Sequence, residues 1–238
     1  MVGVLLMDVS AAFPSVARDC LVRRMRDLKL DENLIQWTDS FMQDRWVIMS
    51  VNGHDGEQER VTTGLPQGSP VSPILFSIYI LEVHAAVQSK VDDTAGLSFV
   101  DDVTWFATGP NVATIRKRLE ECAKERIAWG ERNAVRFEES KTEALLLSKK
   151  RGIREERGVQ VAERVVPFAR TATRWLGVWL DWTLGLRDSR KRVLESAKRA
   201  DAAVQKMVGK YGVPLASARN LQQALIVTGA TEYGQRCV

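Results

Sequence analysis

The chain has 238 residues, of which 45% are apolar and 27% are charged, as is ordinary for a globular protein with one sizeable core and a small second domain. No apolar stretch reaches the roughly 18 residues that span a bilayer, and the N-terminus lacks the pattern of a secretion signal. Cys20, Cys122 and Cys237 are scattered, and there are only two histidines, which argues against a disulfide framework and a zinc site. The composition predicts an intracellular protein outside the membrane.

The net charge of +4 is distributed unevenly along the chain. The segment from Thr183 to Val238 holds ten Lys and Arg residues against four Asp and Glu residues, which leaves a net charge of −2 for residues 1–182. A basic C-terminal part favours a polyanionic partner. A solvated helix face explains the same charges equally well.

The first part of the chain predicts a strand, two helices and a hairpin. The apolar run GVLLMDVS fits a buried strand that ends at Asp8. Helical spacing follows in SVARDCLVRRMRDLKL and again in ENLIQWTDSFM, and RWVIMSVNGHDGEQERVTTG alternates around a turn as hairpins do. The Gly- and Pro-rich stretch GLPQGSP then leads into an apolar helix after Pro73.

The remainder predicts a second hairpin, a long helix, further strands and a helical C-terminal segment. The stretch NVATIRKRLEECAKERIAWGERN is an amphipathic helix whose core side chains are Ile115, Leu119, Cys122 and Ile127. TEALLLS and TRWLGVWLD predict strands, and the pattern beyond Leu186 is helical, with a break at Gly212 and Pro214 and a second helix from about Ala216. The order of elements predicts an α+β body over residues 1–182 and a helical domain over residues 183–238.

Two adjacent acids lie between apolar runs in LSFVDDVTWFA, residues 97–107. The letters Val-Asp-Asp also occur at residues 91–93, where their polar flanks predict a solvated loop. Asp101 and Asp102 have strand-like neighbours on both sides and therefore predict the two-residue tip of a buried hairpin. A structural turn is the ordinary explanation of such a pair. Whether the two acids have a catalytic role depends on the other motifs of the chain.

Five blocks follow one another along the chain: LLMDVSAAFPSV, TTGLPQGSPVSPILFSIYI, SFVDDVTWF, NAVRFEESKTEALLLS and RWLGVWLD. In this order and at this spacing they resemble the palm and thumb of reverse transcriptases, most closely those of non-LTR, LINE-like retrotransposons. The resemblance implies a polymerase right-hand palm with a ferredoxin-like βαββαβ core and a C-terminal helical thumb. Because the chain begins on the strand that carries Asp8, we expect the fingers to be largely absent.

The resemblance implies a catalytic site of acids. Nucleotidyl transfer uses two divalent ions roughly 4 Å apart, and such hard ions prefer carboxylate oxygens. Asp8, Asp101 and Asp102 are the implied ligands of two Mg²⁺ ions, with Mn²⁺ as a substitute. Close carboxylates repel by about 4 kcal/mol per pair at 4 Å and an effective dielectric constant near 20, and bound metal relieves that repulsion. Lys141 matches a lysine that protonates or stabilises departing pyrophosphate, although a plain surface lysine fits the pattern too.

Three further residues match the substrate-binding positions of the family. Phe13 lies where the family keeps an aromatic ring beneath the incoming sugar, which would exclude a 2′-hydroxyl and select deoxynucleotides. Gln67 and Gly68, in GLPQGSP, match the loop under the templating base pair, where glycine permits close backbone approach. The alternatives are a core phenylalanine and a simple Gly/Pro turn before a helix.

The last matches concern nucleic-acid contacts. RWLGVWLD resembles the primer grip and implies roles for Trp175 and Gly177, although Trp175 and Trp179 fit a core equally well. The thumb helix would contact the backbone of the template-primer duplex without reading its sequence. The basic residues implied in that contact are Arg190, Lys191, Arg192, Lys198 and Arg199.

The function implied is that of an RNA-directed DNA polymerase, which transfers dNTPs onto the 3′-hydroxyl of a DNA or RNA primer over an RNA template. Pro14 and Val100 depart from the family pattern, but neither removes an implied metal ligand. The expected lack of fingers favours an alternative, a non-catalytic nucleic-acid-binding remnant of a truncated retroelement. A nucleotide cyclase would leave GLPQGSP and RWLGVWLD without a purpose. A nuclear location follows from the resemblance alone.

Overall fold

The computed structural model describes residues 1–148 and 157–224, which form two compact units. Among these residues, the first unit comprises 1–144 and 157–167, and the second comprises 145–148 and 168–224. The predicted boundary between residues 182 and 183 therefore lies inside the second unit, and the division into palm and thumb stays a prediction. Cys237 lies outside the described residues, as does 225–238 of the predicted helical domain.

The first unit is built on a four-stranded sheet. Its strands, in chain order, are β1 (Val2–Ser10), β4 (Thr94–Phe99), β5 (Asp102–Thr108) and β6 (Arg136–Leu147). The last three residues of β6 are assigned to the second unit. The strands lie in the order β4-β5-β1-β6, and β5 pairs antiparallel with both β1 and β4. Compared with the sequence expectation, β1 continues two residues beyond Asp8, and β6 begins well before TEALLLS.

Helices α3 (Ser72–Gln88) and α4 (Val112–Arg132) cover one face of this sheet. A Cβ atom added at Gly3 of β1 would lie 2.3 Å from Cγ2 of Ile115, and one added at Gly96 of β4 would lie 2.1 Å from Nδ1 of His84. The absence of side chains at both glycines thus lets the helices approach the strands. Helices α1 (Arg18–Asp27) and α2 (Glu32–Phe41) complete the helical layer, with α1 against α3.

Two hairpins accompany the sheet in the first unit. The predicted pair, β2 (Arg45–Val51) and β3 (His54–Val61), forms an antiparallel hairpin that contributes no buried side chain. Its exposed apolar residues are Trp46, Val47, Ile48, Met49 and Val51. The other hairpin, β7 (Val159–Val161) and β8 (Arg164–Val166), was not predicted from the sequence, because strands of three residues are too short to show a period.

The second unit consists of a hairpin and two helices. Strands β9 (Ala172–Trp175) and β10 (Val178–Asp181) pair antiparallel, and α5 (Arg187–Tyr211) and α6 (Leu215–Gln222) follow. Gly212, with φ +62°, ends α5, and Pro214 precedes the first residue of α6, so the predicted helix break is confirmed. No helix in residues 1–148 and 157–224 is long and apolar enough to cross a membrane.

Arg126 of α4 is a charged residue inside the core of the first unit. Its exposed fraction is 0%, and its three guanidinium nitrogens lack hydrogen-bond partners among the described residues. Its Cζ atom lies 3.6 Å from the centroid of the Phe137 ring. Burial lowers the pKa of Arg126 well below its usual range, although the nearby Cys122 and Glu139 oppose that shift. The charge is thus compensated mainly by an aromatic face.

We expect Arg126→Met to increase the free energy of unfolding by about 1 kcal/mol or more. Desolvating a charged group costs several kcal/mol, which exceeds the roughly 2 kcal/mol of a desolvated cation–π contact. Chemical denaturation measures the change, with Arg136→Met as the control at an exposed site of β6, expected to stay within about 0.5 kcal/mol. A destabilised Arg126→Met protein would show that the buried cation contributes net stability.

Candidate active site

Asp8 and Asp102 lie directly opposite each other on the neighbouring strands β1 and β5. The Val9 N–H donates to the carbonyl oxygen of Asp101 at 3.0 Å, which makes Val9 and Asp101 a hydrogen-bonded pair and Asp8 and Asp102 a non-hydrogen-bonded one. Side chains of such a pair point to the same face, with Cα atoms about 4.5 Å apart. Two acids 94 positions apart in sequence are therefore adjacent in the sheet.

The β4–β5 turn consists of Val100 and Asp101, because Phe99 pairs with Asp102. Asp101 is exposed, Asp102 is half-buried, and Phe99 at the end of the edge strand is 55% exposed. The hairpin was predicted correctly, but the expectation of a buried tip made of the two acids is wrong. Val100 has φ +55°, a left-handed conformation that is unfavourable for a β-branched side chain. The turn that presents Asp101 is therefore strained.

Lys141 of β6 brings a positive charge to the same place. Its Nζ atom lies 3.0 Å from Oδ2 of Asp8 and donates a hydrogen bond to it. This hydrogen bond and the charge of Asp8 raise the pKa of Lys141, and the charges of Glu138 and Asp101 add to the effect. Lys141 thus lies in the combined negative potential of acids from three strands or turns.

No three Asp, Glu, His or Cys side chains converge into a ready ion site within residues 1–148 and 157–224. Asp8 instead contacts the ammonium group of Lys141. The chemistry of the donor set nevertheless fits a hard divalent cation, because Asp8, Asp101 and Asp102 offer only carboxylate oxygens. The ammonium group held against Asp8 shows that this position attracts a cation.

Glu138 was not singled out from the sequence, although it belongs to this charge cluster. Ser140 donates a hydrogen bond from Oγ to Oε1 of Glu138 at 2.5 Å, and this bond lowers the pKa of Glu138, against an opposing effect of burial. The nearby Lys141 lowers it further. No signal in FEESKTE distinguishes Glu138 from its neighbours, because its relation to Lys141 depends on the path of β6.

The turn that carries Phe13 is joined to the loop that begins GLPQGSP. The Gly64 N–H donates to the carbonyl oxygen of Val16, and the Leu65 N–H donates to that of Phe13, both at 2.8 Å. The half-buried ring of Phe13 lies 5.7 Å from the ring of Phe76, centroid to centroid. Two blocks that are distant in sequence thus form one connected substructure.

Gly64 requires its glycine for two reasons. Its φ is +83°, and an added Cβ atom would lie 2.8 Å from both Cα and O of Pro14. Gly68 has φ +89° but nothing within 4 Å of the position of a Cβ atom. Gln67 and Gly68 are exposed, and Ser72 anchors the loop by donating to the carbonyl oxygen of Pro66 at 2.6 Å.

The remaining predicted residues belong to the second unit. Leu176 and Gly177, with φ +47° and +84°, form the turn between β9 and β10, a pattern typical of a type I′ turn. Trp175 is half-buried. On α5, the Cζ atom of Arg192 lies 3.8 Å from the centroid of the Trp179 ring. The other basic residues implied in nucleic-acid contacts are exposed: Arg190, Lys191, Lys198 and Arg199.

Asp181 fixes the connection from β10 to α5. Its Oδ1 atom accepts hydrogen bonds from the N–H and the hydroxyl group of Thr183 and from the N–H of Gly185, at 2.8, 2.6 and 3.0 Å. Burial alone would raise the pKa of Asp181, but these hydrogen bonds outweigh it and lower the pKa. The acid that ends RWLGVWLD is therefore occupied by backbone and hydroxyl donors of its own loop.

The class of the protein follows from the comparison with known protein families. The model of the family "Reverse transcriptase (RNA-dependent DNA polymerase)" matches residues 2–180, and the chain belongs to this family. It is 26% identical over 179 residues to the RNA-directed DNA polymerase from mobile element jockey of Drosophila melanogaster, covering 74% of this chain and 19% of that protein. It is 27% identical over 109 residues to a retrovirus-related Pol polyprotein from the type-1 retrotransposable element R2 of Popillia japonica, covering 42% of this chain and 18% of that protein.

Solved structures support the fold. Apo telomerase from Candida tropicalis superposes with a TM-score of 0.54 at 10% identity, over 98% of this chain and 42% of that one. A form of the same telomerase truncated from its C-terminal domain gives a TM-score of 0.52 at 14% identity, over 77% of this chain and 34% of that one. The mixed helices and sheets are thus reverse transcriptase-like. The chain spans about a fifth of the length of the retroelement relatives it matches.

We expect Gly64→Ala to destabilise the protein more than Gly68→Ala does. Both substitutions force alanine into a left-handed conformation, at a cost of about 1–2 kcal/mol. Gly64→Ala also pushes against the backbone of Pro14, and overpacking adds about 1–3 kcal/mol. Chemical denaturation of the two variants measures the difference. Equal losses of stability in the two variants would contradict this expectation. They would mean that the turn that carries Phe13 moves without cost to accommodate the added methyl group.

Proposed function

We propose that this chain carries the catalytic part of an RNA-directed DNA polymerase that adds dNTPs to a primer 3′-hydroxyl over an RNA template. The apposition of Asp8 and Asp102 on β1 and β5, with Asp101 beside them, carries the proposal. Membership of the reverse transcriptase family and the similarity to the jockey and R2 polymerases support it. In this proposal residues 1–182 act as the palm and residues 183–238 as the thumb.

Asp8, Asp101 and Asp102 would hold two Mg²⁺ ions, or Mn²⁺ in their place. Such ions lower the pKa of the attacking primer hydroxyl group and neutralise the leaving pyrophosphate. Lys141 contacts only Oδ2 of Asp8, so the Oδ1 atom of Asp8 would remain available to a metal ion. Lys141 is protonated at neutral pH, since its pKa is raised, and it would be available as a proton donor to the pyrophosphate.

The substrate side of the site is proposed from the connected turn and loop. Phe13 would lie beneath the sugar of the incoming nucleotide and exclude a 2′-hydroxyl, and its contact with Phe76 limits the freedom of its ring. Gln67 and Gly68 are exposed and would lie under the templating base pair, where Gly68 allows close backbone approach. The hydrogen bonds from the N–H groups of Gly64 and Leu65 would hold the Phe13 turn and the GLPQGSP loop in a fixed relative position.

The second unit would contact the template-primer duplex. Lys191 and Lys198 are seven residues apart on α5 and so lie on the same face of the helix, two turns apart. Exposed lysines at this spacing suit phosphate contacts, which do not depend on the base sequence. The turn at Leu176 and Gly177, together with Trp175, would support the primer. We infer a nuclear location only from the family resemblance, which implies work at chromosomal targets.

A second candidate function is nucleic-acid binding without catalysis. It is favoured by the ion pair of Asp8 with Lys141 and by the lack of a convergent acid cluster in the described part of the chain. The basic face of α5 would serve both functions equally. The two candidates differ in whether the acids bind a divalent ion and support synthesis.

We expect Asp8→Asn and Asp101→Asn each to abolish Mg²⁺-dependent primer extension on an RNA template, because each removes a proposed metal ligand. Asp92→Asn is the matched control, since Asp92 is exposed in the other Val-Asp-Asp stretch. Mn²⁺ titration followed by electron paramagnetic resonance gives a readout that is independent of activity. The control should bind Mn²⁺ as the unmodified chain does, and the two site variants should bind it at least about tenfold more weakly.

The outcomes separate the two candidates. Synthesis that survives Asp101→Asn would contradict the metal assignment. If the unmodified chain binds a template-primer duplex but does not bind Mn²⁺, the catalytic function is contradicted. The non-catalytic binding function then remains.

We expect the double substitution Lys191→Gln, Lys198→Gln to weaken binding of a template-primer duplex and to flatten its salt dependence. Each lost phosphate contact should reduce the slope of log affinity against log salt by about 0.7–0.9. The control is Lys117→Gln, Lys124→Gln on α4, which removes the same charge at the same seven-residue spacing in the first unit. Fluorescence anisotropy at several salt concentrations measures both. Equal slopes in the two double variants would contradict a specific role of α5.

A further inference from the structure

A cavity of about 310 Å³ lies among the helices α1, α3 and α4 of the first unit. Helix α1 contributes Cys20, Arg23, Arg24 and Asp27 at helical spacing, so one face of α1 forms a wall. The other walls consist of side chains from α3 and α4 and of the residue after α4. They include Tyr79, Glu82, Trp129, Arg132 and Asn133. None of the acids proposed to bind metal lines this cavity.

The cavity concentrates arginines that have no acidic partner. Arg23, Arg24 and Arg132 make no ion pair within 4 Å in the part of the chain that the structure describes. By contrast, two other arginines of the same helix do have such pairs, Arg18 with Asp19 and Arg26 with Glu32. Because Asp27 and Glu82 also line the cavity, its lining carries an excess of one positive charge.

The wall of the cavity is also short of hydrogen-bond acceptors. Nε of Arg24 and Nε1 of Trp129 are buried donors without a partner among the described residues, and Trp129 is only 2% exposed. The Tyr79 hydroxyl is already used, since it donates to the carbonyl oxygen of Asn133 at 2.5 Å. Burial raises the pKa of Tyr79, so that group remains neutral and supplies no negative charge. Buried donors of this kind call for an acceptor.

We propose that this cavity binds a small phosphate-bearing ligand, either free pyrophosphate or a mononucleotide. The planar fork of arginine matches phosphate oxygens, and three such groups converge on a volume suited to a small molecule. The proposal does not depend on polymerase activity, because its residues are separate from the acids on β1 and β5.

Cys20 provides a direct probe of the cavity. It is half-buried at the cavity wall, and Nη2 of Arg23 lies 3.7 Å from its Sγ atom. Cys122 is buried, and burial raises its pKa to about 11, so its thiol reacts poorly. In a Cys237→Ser background, modification of Cys20 by a maleimide should therefore report occupancy of the cavity. All reactions contain a chelator, which keeps phosphate ligands from binding through divalent ions at the acids.

Pyrophosphate should slow the modification of Cys20 in a saturable manner. Arg24→Gln and Arg132→Gln should each raise the pyrophosphate concentration that halves the modification rate of Cys20, by about tenfold or more. Arg132 is exposed, so its substitution should not disturb the fold. Arg26→Gln, which changes the same charge at an ion-paired arginine outside the cavity, should leave that concentration unchanged. Circular dichroism confirms that each variant is folded.

The choice of probe identifies the source of the phosphate. Protection by a deoxynucleoside monophosphate at lower concentration than pyrophosphate would indicate a nucleotide ligand, and the reverse order would indicate free pyrophosphate. Protection that is equal in all three arginine variants, or no protection at millimolar concentrations of either probe, would overturn the proposal. Because no divalent ion is present, neither result bears on the catalytic acids.

Discussion

The placement of Asp8 opposite Asp102 depends on the packing of the other face of the same two strands. Side chains alternate along a strand, so the register that buries Leu5 against Trp105 and Met7 against Val103 also sends both acids to the opposite face. A slip of one residue would exchange the faces and move the acids into the core. The apolar face of β1 and β5 thus determines where Asp8 and Asp102 lie on the other face.

This apposition has an electrostatic cost that the chain meets with its own cation. Two carboxylates at about 4 Å repel by about 4 kcal/mol at an effective dielectric constant near 20, and like charges directly opposite in a sheet are unfavourable. Lys141 reaches Asp8 from β6 and lowers that cost. The same contact means that a divalent ion at Asp8 would meet a neighbouring ammonium group, whose positive charge would oppose its binding.

The sequence allowed the long periodic elements to be predicted, but not the details that depend on tertiary contacts. The apolar run of β1 and the helical spacing of α4 identified both elements, because burial of a strand requires consecutive apolar residues and packing of a helix requires an apolar face. The exposed tip at Asp101 was missed, since the apolar neighbours Leu97 and Phe99 belong to an edge strand and are themselves exposed. The contact between Asp8 and Lys141 joins residues 133 positions apart, which no local pattern can show.

The first unit carries the arginine-lined cavity in its helical layer and the paired acids on the other face of its sheet. The helices α3 and α4 cover the face of the sheet that carries Leu5 and Trp105, and the arginine cavity lies among α1, α3 and α4. Asp8 and Asp102 belong to the opposite face of β1 and β5. A phosphate group in the cavity would therefore lie across the sheet from Asp8 and Asp102, and its affinity would depend on the three arginines and the two acids that line the cavity. The proposed metal site and the proposed phosphate site would coexist in one unit because the distance across the sheet weakens the interaction between their charges.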